Sequence, residues 1–325
     1  MSIERCGFVF YRFLFMSNKM LTAENLRGVW AFVLTPWDEK GRLDEDALGG
    51  NVAYQCGCGV HGIYTTSSSG EFFAMDFDEF SLLVDICTEE AKKANMPIQI
   101  GCGGVDTRSI VKQAEYACVR GADAIQVIFP YYTKLTIEEA VGFFKDVAEA
   151  CGDVPLVHYN TSYAKLTLGA DDYLRLADCV PTLIGTKLTK GDPLWFTNVC
   201  QRVPGLSHFS GEYTFVADFV GGAKGIYSWL AVTNPSLTLR WYEACVDGDW
   251  NRAIEIQRRV NLYKVCVKSK WHGTSNAAIN KTDAVINPNI KSNLTVRAPY
   301  TSCTLSDVEA ARRWAKDNFS ELLEL

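Results

Sequence analysis

The strongest constraint on the fold of this chain is a regular alternation of short apolar runs with helical patterns. Eight apolar runs, each bounded by turn-forming residues, predict buried strands. They lie at 26–36, 60–66, 97–102, 123–129, 155–159, 183–187, 206–210 and 225–229. Helical patterns separate them, and Asp44, Asp106 and Thr136 are predicted to begin three of these helices as N-caps. Strand–helix units repeated at about thirty-residue spacing predict an α/β fold with a parallel sheet.

Two parallel architectures fit this alternation, a doubly wound sheet and a (β/α)₈ barrel. No Gly-x-Gly-x-x-Gly motif follows the first strand, which disfavours a dinucleotide-binding sheet. The sequence therefore predicts a (β/α)₈ TIM barrel over residues 21–232. Helical periodicity at 236–246, 250–271 and 305–323 predicts a C-terminal helical annex over 233–325. Residues 1–20 are predicted to be an N-terminal extension that is either disordered or packed against a partner.

Composition excludes several classes of function. The 325 residues carry a net charge of −6, which gives no electrostatic basis for binding nucleic acid or an anionic membrane. The 12 cysteines are scattered, as is typical of reduced thiols in a cytoplasmic protein. Cys56, Cys58 and His61 are close in sequence, but their spacing and the lack of a second cluster disfavour a metal site.

A lysine stands at the end of the sixth predicted strand, where a barrel places its active site. Lys187 follows the apolar run that contains Leu183, Ile184 and Gly185. Burial disfavours the charged ammonium group, so the amine at such a position can be neutral and attack a carbonyl to form a Schiff base. The alternative interpretation is a structural lysine whose ammonium group reaches solvent.

Other strand ends carry side chains that suit carbonyl chemistry. Tyr159 ends the neighbouring fifth strand and could transfer protons. Ser68 and Ser69 lie in a glycine-containing loop whose hydroxyl and N–H groups could hold a carboxylate. Thr35, at the end of the first strand, is included among the substrate-binding candidates. Serine-rich loops and packing tyrosines also occur without this chemistry, so the combination matters more than any one residue.

An ordered set of motifs resembles the dihydrodipicolinate synthase / N-acetylneuraminate lyase superfamily of class I aldolases. The resemblance extends from about residue 21 to the C-terminus. The matching segments are 28–36 (Gly-Val-Trp-Ala-Phe-Val-Leu-Thr-Pro), 67–71 (Ser-Ser-Ser-Gly-Glu), 130–132 (Pro-Tyr-Tyr), 158–160 (His-Tyr-Asn), 185–187 (Gly-Thr-Lys), 210–211 (Ser-Gly) and 297–300 (Arg-Ala-Pro-Tyr).

The resemblance implies a (β/α)₈ barrel in which Lys187 forms an imine with C2 of pyruvate or another 2-oxo acid. It implies that Tyr159 is the acid/base residue and that Ser68 and Ser69 bind the carboxylate. No metal or organic cofactor is implied, because the imine itself accepts the electrons.

The resemblance also implies a homo-oligomer, a dimer or a tetramer. In the synthase branch a tyrosine at the position of Tyr132 crosses a dimer interface to complete a proton relay. A backbone carbonyl near the position of Tyr227 faces the site, so Tyr227 is placed in the substrate-binding set.

Two departures from the family pattern affect the site. Ser67 replaces the usual first glycine of the loop, and a serine would be strained there if the position required a positive φ. Ala164 stands where the synthase has its substrate-binding arginine, and a methyl group cannot grip a carboxylate. Lys165 and Lys190 are the nearby cations that could compensate.

The sequence therefore predicts a Schiff-base-forming lyase that cleaves, condenses or dehydrates a sugar-acid-like 2-oxo acid. Genuine dihydrodipicolinate synthesis is the first alternative. A catalytically silent barrel that binds a small molecule is an alternative of another class.

Overall fold

Eight parallel strands close into a barrel in the computed structural model, which describes residues 20–189 and 192–325. The strands follow in sequence order, and β8 pairs with β1 to close the sheet. Their bounds are β1 Gly28–Phe32, β2 Gly62–Thr65, β3 Ile98–Cys102, β4 Ala124–Val127, β5 Leu156–Asn160, β6 Leu183–Leu188, β7 Ser207–Ser210 and β8 Gly225–Ser228. The predicted (β/α)₈ fold and the location of all eight strands are confirmed.

Helices separate the strands and follow the barrel, as predicted, but not every one of them was located from the sequence. Their bounds are α1 Glu45–Cys56, α2 Phe77–Lys93, α3 Thr107–Val119, α4 Ile137–Cys151, α5 Ala170–Cys179, α6 Pro193–Arg202, α7 Phe215–Gly221, α8 Leu230–Thr233, α9 Pro235–Val246, α10 Trp250–Cys266, α11 Asn276–Ala284 and α12 Leu305–Asn318. Asp44, Asp106 and Thr136 are N-caps as predicted, each accepting a hydrogen bond from a backbone N–H of the first turn.

One helix that was not located from the sequence is α11. Its sequence, Asn-Ala-Ala-Ile-Asn-Lys-Thr-Asp-Ala, has no continuous apolar stripe, because two of its buried side chains, Lys281 and Asp283, are charged. Each of these charges is paired inside the protein, Lys281 with Glu71 and Asp283 with Lys268. A helix whose buried face is ionic cannot be recognised from hydrophobic periodicity.

The C-terminal helices pack against the barrel. The predicted boundary between residues 232 and 233 falls inside α8, and the division into two domains stays a prediction. Asn234, which caps α9, also donates to the carbonyl of Glu321 over 2.8 Å and so ties the chain's end to the barrel. The N-terminal extension, apart from residue 20, lies outside the described residues.

A register shift between β5 and β6 determines which residues meet at the top of the barrel. Leu156 pairs with Leu183, but Val157 pairs with Gly185, so Ile184 is an extra residue on β6. Beyond this bulge Tyr159 pairs with Lys187. Without the extra residue Tyr159 would pair with the preceding residue of β6, and the lysine would point to the other face of the sheet.

Gly185 is required in this part of β6 by lack of space. A Cβ atom added there would lie 2.8 Å from Cδ2 of Leu26 and 2.8 Å from the carbonyl oxygen of Ser207. Neither separation is acceptable in a packed core, so a larger residue would displace β6 and the lysine two positions beyond it.

Candidate active site

A cavity of about 410 Å³ opens at the carboxyl ends of the strands. Strand-end residues Tyr64, Tyr159, Lys187 and Tyr227 form its floor. Loops and C-terminal helices complete the wall, among them the 67–71 loop, the segment after β7 and helices α10 and α11. This is the end of a (β/α)₈ barrel at which active sites are found.

Lys187 is buried at the centre of this floor, with 4% of its surface exposed. Its Nζ lies 4.1 Å from the ring centroid of Tyr159, 4.4 Å from that of Tyr64 and 5.4 Å from that of Tyr227. Among the described residues it forms no salt bridge. Burial lowers its pKa from 10.5 to about 7, and the negative charge of Glu212 opposes part of that shift. A large fraction of this amine is therefore neutral near pH 7.

Tyr159 lies beside the lysine and also touches the serine loop. Its hydroxyl is 3.3 Å from Oγ of Ser68, and either oxygen can be the donor. The phenol thus connects the amine of Lys187 with the loop that was predicted to bind a carboxylate. Sequence analysis predicted each of these three residues, and the structure brings them together.

Ser68 and Ser69 line the cavity in a short 3₁₀ turn, Ser68–Gly70. Ser67 has φ −90°, an extended conformation that any residue adopts, so the predicted strain from a serine at this position is absent. The left-handed positions of the loop are Thr66 and Glu71, with φ 51° and 56°.

Glu71 anchors this loop from the side away from the cavity. Its carboxylate is fully buried, pairs with Lys281 of α11 and accepts from Nε1 of Trp37 over 3.0 Å. It also accepts from the backbone N–H of Arg297 over 3.0 Å. A buried carboxylate with three donors is well compensated, and these contacts fix the loop against three other segments of the chain.

Thr35 does not reach the cavity. Its side chain is fully buried and donates to the carbonyl of Gly70 over 2.7 Å, so it supports the serine loop from behind. Its predicted role in substrate binding stays a prediction, since in this structure the hydroxyl is engaged with Gly70.

Tyr227 lines the cavity with its ring, but its hydroxyl points into the barrel interior. The hydroxyl donates to Oε1 of Gln99 over 2.7 Å, and burial raises the pKa of this phenol. Its contribution to the cavity is therefore an aromatic wall beside the lysine amine.

Tyr132 does not reach the cavity of its own chain. Its side chain is 76% exposed, and its backbone carbonyl accepts from Nζ of Lys165 over 2.6 Å. Lys165 is therefore directed toward the surface and does not substitute for the missing arginine at Ala164, which is fully buried. Lys190 lies outside the described residues.

Several residues of the cavity were not predicted as site residues. Asn276 and Asn280 of α11 and Lys264 of α10 belong to its wall. They come from the C-terminal helices, so no strand-end rule identifies them. The one signal in the sequence is the i, i+4 spacing of the two asparagines, which places them on the same side of a helix.

Glu212 is the buried acid of the cavity. It follows β7, accepts a hydrogen bond from the backbone N–H of Trp229, and has its pKa raised by burial. Trp229 also lines the cavity, and its buried indole Nε1 has no hydrogen-bond partner among residues 20–189 and 192–325. Lys264 lies over the ring of Tyr213 at 3.7 Å and forms no salt bridge with any described residue.

Within residues 20–189 and 192–325, no three His, Cys, Asp or Glu side chains are grouped so as to hold a metal ion. In the same part of the chain, no helix is long and apolar enough to cross a bilayer.

Comparison with known proteins gives a consistent result. A 4-hydroxy-tetrahydrodipicolinate synthase of Nitrobacter hamburgensis is 31% identical over 244 residues, which cover 74% of this chain and 81% of that protein. An N-acetylneuraminate lyase of Escherichia fergusonii is 31% identical over 208 residues, covering 62% of this chain and 68% of the lyase. The crystal structure of a dihydrodipicolinate synthase from Aquifex aeolicus superposes with a TM-score of 0.80 at 24% identity, covering 90% of this chain and 97% of the other. A family model described as the dihydrodipicolinate synthetase family matches residues 25–317. The chain therefore belongs to the dihydrodipicolinate synthetase family.

Proposed function

We propose that this protein is a Schiff-base-forming lyase in which Lys187 forms an imine with pyruvate or a related 2-oxo acid. Its family relatives are lyases of the class I aldolase type, and so is this chain. The observation that carries the proposal is the buried amine of Lys187, with its pKa lowered to about 7, beside the phenol of Tyr159 in an open cavity.

Imine formation uses groups that the cavity already positions. The neutral amine of Lys187 adds to the C2 carbonyl carbon, and the carbonyl oxygen takes up a proton to give a carbinolamine. The nitrogen, positively charged after the addition, loses a proton; a second proton on the hydroxyl then lets it leave as water, and the nitrogen lone pair forms the C=N bond of a protonated imine. Of the three tyrosine rings around Nζ, that of Tyr159 is nearest, at 4.1 Å, and the contact of its hydroxyl with Ser68 offers a proton path.

The imine then makes cleavage of the substrate possible. As the bond between C3 and C4 breaks, its electron pair moves into the protonated imine to give an enamine, and the C4 hydroxyl loses its proton to the base. Protonation of the enamine at C3 and hydrolysis of the imine release the 2-oxo acid and regenerate Lys187. For a dehydratase the base instead removes a proton from C3 to give the enamine, and the enamine electron pair expels the C4 hydroxyl, which departs as water after protonation.

The substrate class that we propose is supported by the polar groups that line the cavity. Ala164 supplies no cation, and Lys165 is engaged with the carbonyl of Tyr132. Thr161, Thr189 and Thr214 line the cavity instead. Thr189 donates to the carbonyl of Asn160 and Thr214 to the carboxylate of Asp218, which leaves their oxygens as acceptors for substrate hydroxyls and supports a sugar-acid-like 2-oxo acid as the substrate.

One observation favours the synthase alternative. Lys264 lines the cavity without a salt bridge to any described residue and could bind the carboxylate of a second substrate such as aspartate semialdehyde. An ammonium group lacks the bidentate geometry of an arginine, so we place the synthase activity second.

Borohydride trapping tests the covalent step and distinguishes an enzyme from a silent barrel. The protein is incubated with pyruvate, reduced, digested and analysed by peptide mass, with Lys187→Arg and Lys165→Arg as matched variants. The expected adduct is on Lys187, persists in Lys165→Arg and is lost in Lys187→Arg. An adduct on another lysine, or none in the natural protein, contradicts the proposal.

Steady-state kinetics test the substrate class. We expect kcat/KM for a 2-oxo-3-deoxy sugar acid to exceed kcat/KM for condensation of pyruvate with aspartate semialdehyde. Loss of a buried charge-assisted contact to a carboxylate costs about 2–5 kcal/mol, or roughly 30-fold to several thousand-fold in affinity. A tenfold preference for the semialdehyde would establish the synthase alternative instead.

The oligomeric state and the cellular compartment of the protein are also proposed. Family resemblance supports a homo-oligomer in which Tyr132, exposed in the single chain, lies at a subunit boundary. None of the 11 cysteines in the described part of the chain forms a disulfide, which supports a reducing compartment such as the cytoplasm.

A further inference from the structure

Two asparagine amides from α11 hold the two serine hydroxyls of the 67–71 loop. Nδ2 of Asn280 donates to Oγ of Ser69 over 2.6 Å, and Nδ2 of Asn276 donates to Oγ of Ser68 over 3.3 Å. Both asparagines also line the cavity. The pairing is one-to-one, with each serine contacted by one asparagine of the same helix.

The direction of these bonds determines where the serine protons can go. A hydroxyl has one proton to donate and two lone pairs to accept with, whereas an amide nitrogen only donates. Each serine oxygen is therefore an acceptor toward α11, and its own proton is left for another partner. For Ser68 one such partner is the hydroxyl of Tyr159, 3.3 Å away. For Ser69 no other side-chain hydrogen bond is formed within the described residues, so its proton is available to the cavity.

The helix that supplies the amides is fixed to the same loop by a second contact. Lys281, the neighbour of Asn280, is fully buried and pairs with Glu71, and its Nζ also donates to the carbonyl of Thr295 over 2.6 Å. Ser275 caps the helix by accepting from the N–H of Ala278 over 3.2 Å. The ion pair and the N-cap therefore fix α11 relative to the loop, and with it the position of the two amides relative to the serines.

We infer that Asn280, and Asn276 beside it, orient the hydroxyl protons of Ser69 and Ser68 toward the carboxylate of the bound 2-oxo acid. They are positioning residues that act through the serines. The inference rests on the proposed function, because it assigns the serines to the carboxylate of the molecule that forms the imine. It predicts that α11 determines how strongly the cavity prefers a carboxylate to a neutral group of the same size.

The test compares pyruvate with pyruvamide, in which the carboxylate is replaced by a neutral amide. The measured quantity is the ratio of the concentrations that give half-maximal trapped imine, in the natural protein and in Asn280→Leu, Ser69→Ala and the double variant. Asn280→Leu keeps the side-chain shape and removes the donor, so the preference for pyruvate should fall by about threefold to tenfold. Ser69→Ala removes a donor to the carboxylate and should lower the preference by about 10- to 100-fold.

The double variant separates orientation from simple support of the fold. If Asn280 acts through the Ser69 hydroxyl, Asn280→Leu has no further effect on the ratio when Ser69 is already alanine. An unchanged ratio in Asn280→Leu, or an equal fall in both backgrounds, overturns the inference. Asn318→Leu, an exposed change on α12, is the control and should leave the ratio unchanged.

The same experiment distinguishes failure of the proposed function from failure of the inference about Asn280. Absence of any pyruvate adduct in the natural protein would overturn the lyase proposal and this inference with it. An adduct on Lys187 combined with additive effects of the two substitutions would overturn only the inference.

Discussion

The lowered pKa of Lys187 predicts how imine formation depends on pH. At pH 7 an amine with the ordinary pKa of 10.5 is neutral in about one molecule in three thousand, whereas a pKa of about 7 makes about half of the amines neutral. Burial beneath three tyrosine rings therefore raises the concentration of the nucleophile roughly a thousandfold at this pH.

The direction of this pH dependence follows from the charge that the Lys187 amine carries when it is protonated. Below the midpoint the amine is an ammonium ion and cannot attack, so the initial rate of imine formation should rise about tenfold per pH unit and level off above pH 7. The assay follows trapped adduct after short incubations with subsaturating pyruvate, between about pH 5.5 and pH 10. A rate that continues to rise toward pH 10 would refute the reasoning, since it would mean that the lysine titrates as an ordinary exposed amine.

A variant of Glu212 tests the electrostatic part of this explanation. The negative charge of Glu212 raises the pKa of Lys187, so Glu212→Gln should move the midpoint to lower pH. Glutamine retains an oxygen that can accept from the N–H of Trp229, and this keeps the change close to one of charge alone. Glu309→Gln, an exposed change on α12, should leave the midpoint where it is. A midpoint that does not move in Glu212→Gln would show that burial alone sets it.

Three further predictions address the proton path, the distal wall and the assembly. Tyr159→Phe should keep the pyruvate adduct but lower turnover by about 10² to 10⁴, the range of a positioned acid/base group, and full turnover would show that its hydroxyl is not used. Lys264→Met should leave cleavage of deoxy sugar acids within about threefold and lower any condensation with aspartate semialdehyde by at least about tenfold; the opposite pattern in kcat/KM would assign Lys264 to the sugar acid. Sedimentation should show a homo-oligomer that Tyr132→Asp weakens, because a charge placed in a subunit interface is costly, and a stable active monomer of the natural protein would contradict the assembly.

The sequence was sufficient to predict the barrel and the central pair of the candidate site. Local sequence patterns predict both kinds of element: apolar runs of about five residues predict the strands, and hydrophobic periodicity predicts the helices between them. Because all strands of a parallel barrel end at the same rim, a lysine and a tyrosine at consecutive strand ends are brought to one place by topology alone. The same rule placed Ser68 and Ser69 at that rim.

Other features depend on contacts between distant parts of the chain. The bulge at Ile184, which turns Lys187 to the same face as Tyr159, arises from pairing between two strands and has no local signature. Whether a polar side chain faces the cavity also depends on its partners: Thr35 is held by Gly70, and Lys165 by the carbonyl of Tyr132. A strand-end position restricts a side chain to the rim but does not fix its direction.

The wall that we propose binds the carboxylate depends on tertiary structure. Asn280 and Ser69 are 211 residues apart in sequence, and Lys281 and Glu71 are 210 apart. The buried face of α11 is ionic, so hydrophobic periodicity does not predict a helix in this segment. Its charged groups are stable there because each finds its counter-charge in another segment, and only the folded chain supplies that partner. The chemistry of the central amine was therefore readable from the sequence, whereas the orientation of the groups around it required the fold.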